Sequence, residues 1–534
     1  MFSYRKKKLQ HIRNIWSKQI DKYRNIDLIA LYHCMLVCSD DESMVDEKTW
    51  NDLDCTALYT KLDRNITGIG QQYLFHLMHT YEQDESVLKR QFEVITHLKQ
   101  NQDLREQIQL CLLDLSGTSS YFIAHLILDK TLPSAKYYRL FYLFPILFIA
   151  SILAISIHNV FILVSMAIAL INLVLNKTFS KVVYRYFSGF SALNALINAA
   201  LSIGNIQNTN LITDVENLKQ QRPLLKSLRK RLGYLVIDKE SLNELIRVGI
   251  EYLNLFLLFD VIAYYRSVET LLSHQNDIHK IFKNVASLDA CIAIASYLEE
   301  TKAYSTPIFH SANYISFQKL YHPLIQNAIP NSLDNFPGSM LITGSNMSGK
   351  TSFIKTIGLN VILAQTLYLS LAQSFTLPKL IVKSSIKRNE DLESGKSYFF
   401  AEIEEIHGFL KFAAQGNNYL FLIDEIFRGT NTIERLAAST AVLKYLSSRN
   451  KVFVTTHDIE LQDLLDGHFQ MYHFSEQVED ERYFFNYKIN RGPCSSGNAI
   501  KLLEMMGYPD SIVKEAHAAA IKMLSNGSLI KRVE

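Results

Sequence analysis

The sequence predicts an α/β domain with a phosphate-binding loop in its C-terminal half, preceded by a mainly helical region that contains a transmembrane hairpin. Three features predict this: a glycine-rich loop at residues 344–351, an apolar strand ending at Asp424 and Glu425, and residues 140–176, which contain no Asp, Glu, Lys or Arg. The 534 residues, 48% hydrophobic and 20% charged, suit a folded protein of about three domains. A net charge of +3 favours no polyanionic partner, so nucleic-acid contact would depend on local patches.

The glycine-rich loop predicts a nucleoside triphosphate site. Residues 344–351 read GSNMSGKT and match the pattern G-x-x-x-x-G-K-S/T, between a short apolar strand and a helical pattern over residues 352–371. In such a loop the backbone N–H groups and the helix N-terminus bind phosphate oxygens, Lys350 neutralises the β- and γ-phosphates, and Thr351 binds Mg²⁺. The predicted nucleotide-binding residues are Gly344, Ser345, Asn346, Met347, Ser348, Gly349, Lys350, Thr351 and Ser352.

Two further strands supply candidate catalytic groups. Residues 419–425 form a buried parallel strand in which Asp424 would hold the hydration shell of Mg²⁺ and Glu425 would polarise the attacking water. A third strand, residues 451–455, leads to His457, which would sense or orient nucleotide and water. The sequence therefore predicts Glu425 and His457 as catalytic residues, Thr351 and Asp424 as metal ligands, and ATP and Mg²⁺ as cofactors of a P-loop NTPase.

The helical region is divided by its most apolar segment. Residues 1–27 predict a basic helix and residues 28–135 predict a first set of helices. Within residues 136–180, two uncharged helices, 140–157 and 160–176, would each span about 26 Å, which fits a transmembrane hairpin. Lysines and arginines flank both ends, so the positive-inside rule predicts a cell-membrane protein with both termini in the cytoplasm. The alternative is a buried hairpin in a soluble domain.

Residues 181–310 predict a second set of helices. Residues 186–213 are too rich in Asn for a confident membrane span and predict a soluble or interfacial helix, and Glu251 and Asp260 make the apolar run around Phe256 a core helix. The basic run at residues 219–231 is compatible with DNA phosphates, with anionic lipid, or with plain solvation. Its candidate contact residues are Lys219, Arg222, Lys226, Arg229, Lys230 and Arg231.

Several segments together resemble the MutS family of ATPases. GSNMSGKTS at residues 344–352 is similar to that family's G-P-N-M-x-G-K-S-T loop, and IDEIFRGTNT at 423–432 resembles its D-E-x-x-R-G-T-x-T run. Residues 391–403 resemble its signature segment, in which a serine contacts the nucleotide of the partner subunit, and residues 455–457 resemble its T-H switch. Residues 495–516 are similar to the C-terminal helical element that holds ATPase dimers together. The residues that would face the dimer partner are Ser397, Arg428, Gly429, Thr430, Asn431 and Thr432.

The resemblance implies an ABC/MutS-type ATPase domain at residues 311–534 that dimerises around two composite nucleotide sites, and a core and lever region before it. It further implies a membrane-anchored branch without the N-terminal mismatch-recognition and connector domains, because the lever-like region begins near residue 27. The hairpin occupies the place of the family's DNA-clamping tip. Tyr398 and Phe427 replace what is usually a small residue.

Two functions are therefore expected. The first is an ATPase homodimer that couples closure around ATP to movement of helical arms at the membrane lipid. The alternative is a membrane-tethered clamp on double-stranded DNA, related to mismatch repair proteins without performing mismatch repair, in which ATP switches conformation. A transporter of the ABC class is disfavoured, because one hairpin supplies too few helices and an LSGGQ-type signature is absent from the sequence.

Overall fold

A computed structural model describes most of the chain. The described residues are 2–37, 43–129, 132–133, 138–207, 209, 212–232, 244–345, 348–386, 398–416, 418–427, 429–479, 482–493, 500, 503–504 and 506–525. The chain divides into two units that are each discontinuous in sequence. We call them the helical unit (Met1–Asp40, Lys61–Leu77 and Arg90–Glu300) and the sheet unit (Asp41–Thr60, Met78–Lys89 and Thr301–Glu534).

Helices and strands are numbered in chain order over the described residues. The helices are α1 Phe2–Ile15, α2 Ile26–Leu36, α3 Glu47–Asp52, α4 Cys55–Leu62, α5 Gly68–His79, α6 Glu85–Gln100, α7 Gln102–Leu112, α8 Phe122–Leu128, α9 Leu143–Ala154, α10 Val160–Ile203, α11 Thr213–Gln220, α12 Arg222–Leu232, α13 Glu244–Leu257, α14 Phe259–Ser273, α15 Gln275–Glu300, α16 Lys350–Leu367, α17 Tyr398–Ala414, α18 Thr432–Ser447, α19 Leu461–Leu464 and α20 Asp510–Ser525. The strands are β1 Ile308–Phe309, β2 Ile315–Leu320, β3 Asn331–Phe336, β4 Ser339–Thr343, β5 Ser374–Leu377, β6 Ile381–Ser385, β7 Tyr419–Asp424, β8 Lys451–Thr456, β9 Phe469–Glu479 and β10 Arg482–Arg491.

The sheet unit is built on a six-stranded sheet in the order β10-β9-β4-β8-β7-β6. Its strands are parallel except for the β9–β10 hairpin. All five residues of β4 are buried, as a strand covered on both faces requires. A smaller sheet, β1-β5-β2-β3, lies in the same unit. The predicted α/β architecture is thus present.

Residues 41–60 and 78–89 belong to the sheet unit, whereas the sequence places them in the first helical region. Their polar contacts explain the difference. Asp46 caps α3 and binds Lys383 of β6 at 3.0 Å. Asp52, which is buried, accepts hydrogen bonds from the Ser384 hydroxyl at 2.9 Å and from the Ile386 N–H at 2.8 Å. These partners lie more than 300 positions away in the chain, so local sequence patterns carry no sign of them.

The predicted hairpin consists of α9, a turn at residues 155–159 and the first half of α10. The first arm is shorter than predicted, because a 3-10 turn occupies residues 138–142 and α9 ends at Ala154. Pro145 fits the first turn of α9, where a backbone N–H has no helical partner to lose. The outward side chains of both arms are large and apolar, as at Leu153 and Leu163, which are each 70% exposed.

The second half of α10 is a core helix. No glycine or proline interrupts residues 160–188, so the helix continues past the predicted end of the hairpin and reaches about 66 Å in length. Its surroundings change along the way: Met166 and Leu170 are exposed, whereas Leu193, Leu196 and Ile197 are fully buried. Residues 186–203, most of the stretch predicted as a soluble or interfacial helix, are therefore a largely buried continuation of the second hairpin arm.

Length and composition single out two segments of the described chain as able to cross a bilayer. Val160–Lys181 is 17% buried over its most apolar window, whereas α15 is 89% buried and serves as a core helix. The first hairpin arm falls in a shorter class of apolar helices, Tyr138–Ala154. A helix pair over Gln102–Leu128 meets the same criteria only if it is taken as one span bent by 88°.

Candidate functional site

The glycine-rich loop follows β4 and leads into α16. Gly344 has a φ of +146°, and a Cβ atom at this position would lie 2.8 Å from the carbonyl oxygen of Phe474 in β9. Gly349, at the start of α16, has a φ of +100°. Both positions therefore need glycine, and they turn the backbone so that the N-terminus of α16 faces the cavity described below. Asn346 and Met347 lie outside the described residues.

Lys350 points back into the loop. Its Nζ donates hydrogen bonds to the carbonyl oxygens of Gly344 at 2.8 Å and Ser345 at 2.7 Å. The same Nζ lies 3.4 Å from Nε2 of His457. The ammonium group of Lys350 is buried and bound to neutral carbonyl oxygens. It can exchange them for phosphate oxygens, which are negatively charged and therefore accept stronger hydrogen bonds.

Asp424 is fixed by two hydroxyl groups. Thr351 donates to its Oδ2 at 3.1 Å, and Thr455 of β8 donates a short hydrogen bond to its Oδ1. A hydroxyl and a carboxylate are both oxygen ligands of the kind Mg²⁺ prefers, and Mg²⁺ takes its remaining ligands from phosphates and water. Thr351 and Asp424 therefore fit the predicted metal role. The sequence places Thr455 in the segment that resembles the T-H switch but gives it no role beside Asp424, because its strand neighbours β7 only in the folded sheet.

Glu425 and His457 lie together at the ends of adjacent strands. Oε1 of Glu425 is 3.0 Å from Nε2 of His457, and the backbone N–H of Glu425 donates to the carbonyl of Thr455 at 2.9 Å. Glu425 has a φ of +61°, which is unusual for a residue with a side chain and is common at functional sites. The residue after His457 is anchored, because Arg435 of α18 binds Asp458 through two hydrogen bonds of 2.7 and 3.0 Å.

These residues line one cavity of about 900 Å³ at the carboxyl edge of the sheet. Its polar end contains Lys350, Thr351, Asp424, Glu425 and His457. The lining also includes a less polar set, which sequence reasoning did not find: Ile325, Ile329, Phe485 and Tyr487. A charged end beside an apolar and aromatic lining is the arrangement that a nucleotide requires.

Asn331 of β3 connects this lining to the smaller sheet. Its side chain donates to the carbonyl of Tyr487 at 3.0 Å and accepts from the N–H of Ile489 at 3.0 Å. The position of Tyr487 thus depends on a contact between residues 156 positions apart. No motif in the sequence marks it.

The loop between β7 and α18 carries most of the residues predicted to face a partner subunit. Gly429 is exposed and packs against Phe399, whose Cβ would be 2.7 Å from a Cβ at that glycine. Asn431 accepts from the N–H of Glu434 at 2.9 Å and so caps α18, which begins at Thr432. Thr430 donates to the Glu434 carboxylate at 3.0 Å. Thr430 and Asn431 therefore also have a local role in starting the helix; Ser397 and Arg428 lie outside the described residues.

Phe427, which departs from the family pattern, is buried with a φ of +60°. Its N–H donates a short hydrogen bond to the carboxylate of Glu402 in α17, and its ring packs edge-on against Phe399. Glu402 thus supports this loop from α17; it lies in the segment 391–403 that resembles the family signature, but sequence patterns assign it no role, because its contact with Phe427 forms only in the folded sheet unit.

The predicted basic patch lies in the helical unit, on α11 and α12. The ammonium group of Lys219 donates to the Glu216 carboxylate at 2.7 Å and to the Thr209 hydroxyl at 2.8 Å. It is therefore less available to bind a phosphate group. Leu225, Leu228 and Leu232 of α12 are buried. The remaining predicted residues are exposed: Arg222, Lys226, Arg229, Lys230 and Arg231.

Comparison with known proteins gives a consistent result. Residues 340–524 match the family model of MutS domain V. The chain is 32% identical over 273 residues to the DNA mismatch repair protein MutS of Lactobacillus delbrueckii subsp. bulgaricus, covering 49% of this chain and 32% of that protein. The MutS protein of Lactobacillus acidophilus is 33% identical over 267 residues, covering 47% and 31%. That of Streptococcus pyogenes is 31% identical over 281 residues, covering 50% and 32%.

The chain spans about a third of the length of the curated relatives it matches. The domain V match begins within β4, immediately before the glycine-rich loop, and ends within α20, so it contains the whole polar end of the cavity. The family resemblance in the sequence is thereby confirmed: residues 340–524 match MutS domain V, and about half of the chain is similar to MutS proteins.

Proposed function

We propose that this chain is a membrane-tethered ATPase that binds ATP with Mg²⁺ in the cavity of the sheet unit and hydrolyses it. The observation that carries the proposal is the convergence of Lys350, Thr351, Asp424, Glu425 and His457 on one cavity from the ends of three neighbouring strands. Each has the chemistry that phosphoryl transfer to water needs at the place it occupies.

Each of these side chains has one role in the proposed reaction. Lys350 exchanges the carbonyls of Gly344 and Ser345 for phosphate oxygens. Thr351 and Asp424 hold Mg²⁺, which neutralises charge on the β- and γ-phosphates. Glu425 orients the attacking water and accepts its proton, and His457, 3.0 Å away, fixes the direction of that carboxylate. The less polar lining near Tyr487 accepts the purine base.

The working form is proposed to be a homodimer with composite sites. Gly429 and Asn431 are exposed, four and six positions after the cavity residue Glu425 in the chain. The C-terminal helix α20 and the residues before it expose large apolar side chains, among them Met506 at 73% and Ile521 at 65%. Apolar side chains exposed along one segment are typical of an association surface.

The membrane tether is proposed from the hairpin of α9 and α10. Almost every outward side chain of the two arms is apolar, and α10 from residue 160 to Lys177 spans about 26 Å, close to the thickness of the hydrocarbon core. In water this surface would be costly, at roughly 25 cal/mol per Å². The tether would place both chain termini in the cytoplasm, where ATP is available.

A second candidate function, a clamp on double-stranded DNA, is favoured by α12. Five exposed basic residues on one helix form a phosphate-binding surface, and the relatives are named DNA mismatch repair proteins. The same helix would bind anionic lipid. DNA retention that falls with rising salt, and is lost in a variant with Arg229, Lys230 and Arg231 changed to Ala, would support the clamp. Unchanged DNA retention in that variant would count against this helix as the DNA contact.

ATP hydrolysis by the full chain in detergent or liposomes tests the proposal. Lys350→Ala should abolish nucleotide binding, whereas Lys411→Ala, at an exposed position of α17, should leave turnover unchanged. Mg²⁺-dependent turnover that survives Lys350→Ala would assign the activity to another site or to a contaminant and would overturn the proposal.

A further inference from the structure

The helical unit contains a second helical turn beside the proposed transmembrane hairpin. α13 ends at Leu257, the chain turns at Leu258, and α14 begins at Phe259. We call residues 252–259, which read YLNLFLLF, the apolar tip. These residues carry no charge, whereas α13 contains Glu244, Arg247 and Glu251 before the tip, and Asp260 follows it.

Two asparagines of α10 bind this tip. Nδ2 of Asn172 donates to the carbonyl of Phe256 at 2.7 Å, and Nδ2 of Asn176 donates to the carbonyl of Asn254 at 3.1 Å. The ring of Phe256 also stacks on Phe148 of α9, with centroids 5.6 Å apart. Carbonyls in the last turn of a helix lack intrahelical donors, so Asn172 supplies a partner that water would otherwise have to provide. This explains a polar side chain within an apolar arm.

Two side chains close the turn by hydrogen bonds. Leu258 has a φ of 54° and is fully buried. The side chain of Asn254 accepts from the N–H of Asp260 at 2.8 Å and donates to the Asp260 carboxylate at 2.8 Å. Asn254 and Asp260 thus satisfy part of each other's hydrogen-bonding capacity, which reduces the cost of placing the turn in a medium poor in water.

The outer surface of the tip is apolar and continuous with the surface of the hairpin. Tyr252, Leu253 and Phe259 are 62%, 54% and 54% exposed. The contacts of Asn172 and Asn176 set the depth of the tip. Asn172 precedes Lys177, the first basic residue after the arm, by five residues. At 1.5 Å per residue the tip therefore lies about 7.5 Å deeper in the bilayer than Lys177. That depth is typical of side chains at the boundary between headgroups and acyl chains.

We propose that the apolar tip inserts into the cytoplasmic interfacial layer of the same phospholipid bilayer, as a shallow second anchor beside the hairpin. The inference rests on the proposed membrane tether. Two contact points instead of one would restrict rotation of the helical unit about the hairpin, because α13 and α14 are bound to α9 and α10 at the tip. At the base of α14, Glu269 accepts a hydrogen bond from the Tyr138 hydroxyl and binds Arg139 at 3.1 Å, next to the start of the first arm.

Depth-dependent fluorescence quenching tests the proposal. The full chain is reconstituted in liposomes of phosphatidylcholine and phosphatidylglycerol whose acyl chains carry bromine either near the headgroup or near the chain end. Three single variants add one tryptophan to the native pair: Phe259→Trp at the tip, Met166→Trp near the middle of the second hairpin arm, where Met166 is 64% exposed, and Phe122→Trp as the matched control. Phe122 is 42% exposed in α8 and lies beside Gly189, about 18 Å beyond Lys177 along α10.

The expected result is a graded pattern. The added emission of Phe259→Trp is quenched most by bromine near the headgroup, that of Met166→Trp by bromine near the chain end, and that of Phe122→Trp by neither. Quenching of Met166→Trp with Phe259→Trp behaving like Phe122→Trp would overturn the shallow anchor and leave the hairpin intact, whether water or a second copy covers the tip. Quenching of Phe259→Trp mainly by the deep bromine would overturn the interfacial depth. Absence of quenching at Met166→Trp would instead contradict the tether itself.

Discussion

Oε1 of Glu425 lies 3.0 Å from Nε2 of His457, and this contact joins the ends of the parallel strands β7 and β8. The pair brings a carboxylate and an imidazole to the same cavity as the glycine-rich loop. Because both side chains line this cavity, Glu425 and His457 are expected to act on the same water molecule.

Replacing Glu425 with Gln should leave ATP binding nearly intact and lower hydrolysis about 10²–10⁴-fold, because a positioned general base contributes that much. Single-turnover hydrolysis and equilibrium binding of labelled ATP separate the two effects. Unchanged turnover would remove Glu425 from the base role.

Thr455 should affect the binding of Mg²⁺ through its hydrogen bond to Asp424. Thr455→Val removes the hydroxyl that donates to Oδ1 of Asp424, and the loss of a hydrogen bond to a charged group costs about 1.5–3 kcal/mol. We expect a higher Mg²⁺ concentration for half-maximal turnover, with ATP binding in the absence of metal little changed. Thr455→Ser, which keeps the hydroxyl, is the matched control. Equal Mg²⁺ dependence in both variants would show that this hydrogen bond does not position the metal ligand.

ATP should promote dimers if the loop at residues 429–432 completes a partner's site. Glu425→Gln should accumulate them, since slow hydrolysis prolongs the closed state. Light scattering of the detergent-solubilised chain with and without ATP measures the change. A single mass under both conditions would contradict this prediction, unless a constitutive dimer forms through α20, which Ile521→Asp should dissociate.

A charge in the middle of either hairpin arm should oppose membrane insertion. Leu147→Asp or Ala167→Arg, both at exposed positions near the middle of an arm, should each cost about 2.5–3.5 kcal/mol on the translocon scale. Insertion is measured by fractionation and by labelling engineered cysteines. The intact protein in the soluble fraction without detergent, or labelling beside Lys177 from the non-cytoplasmic side, would refute the topology.

The stability of the sheet unit should depend on pH through Glu405. Burial raises the pKa of its carboxyl from 4.5 to about 7, with Asp52 and Glu402 adding to the rise and Lys48 opposing it. The native state therefore holds a proton that the unfolded chain releases, so this group's contribution to the free energy of unfolding falls as pH rises between these two values. Glu405→Gln should flatten that fall and stabilise the protein by about 1–3 kcal/mol at alkaline pH.

Denaturation of the full chain in detergent at acidic and alkaline pH measures this effect. Glu404→Gln, at the exposed neighbouring position, is the control and should keep the wild-type pH dependence. An equal pH dependence of wild type and Glu405→Gln would contradict the prediction.

The phosphate-binding loop and its flanking elements could be predicted because the information is local. A strand, two glycines with positive φ, and a lysine at the start of a helix occupy adjacent positions in the chain, and each has one geometry that suits it. The apolar strands β7 and β8 could be predicted for the same reason, since strands covered on both faces read as continuous apolar runs. The hairpin arms were recognisable as helices, although their membrane insertion stays a prediction.

By itself the sequence determined the chemistry of the polar end of the cavity: which residues could bind phosphate, hold a metal and activate water. The tertiary structure decided everything that depends on neighbours distant in the chain. It placed β8 between β4 and β7, which set Thr455 against Asp424 and His457 against Glu425. It also brought Tyr487 to the same cavity and Asn172 to the carbonyl of Phe256. These pairings lie beyond sequence patterns, because hydrogen bonds and packing select partners by position in space.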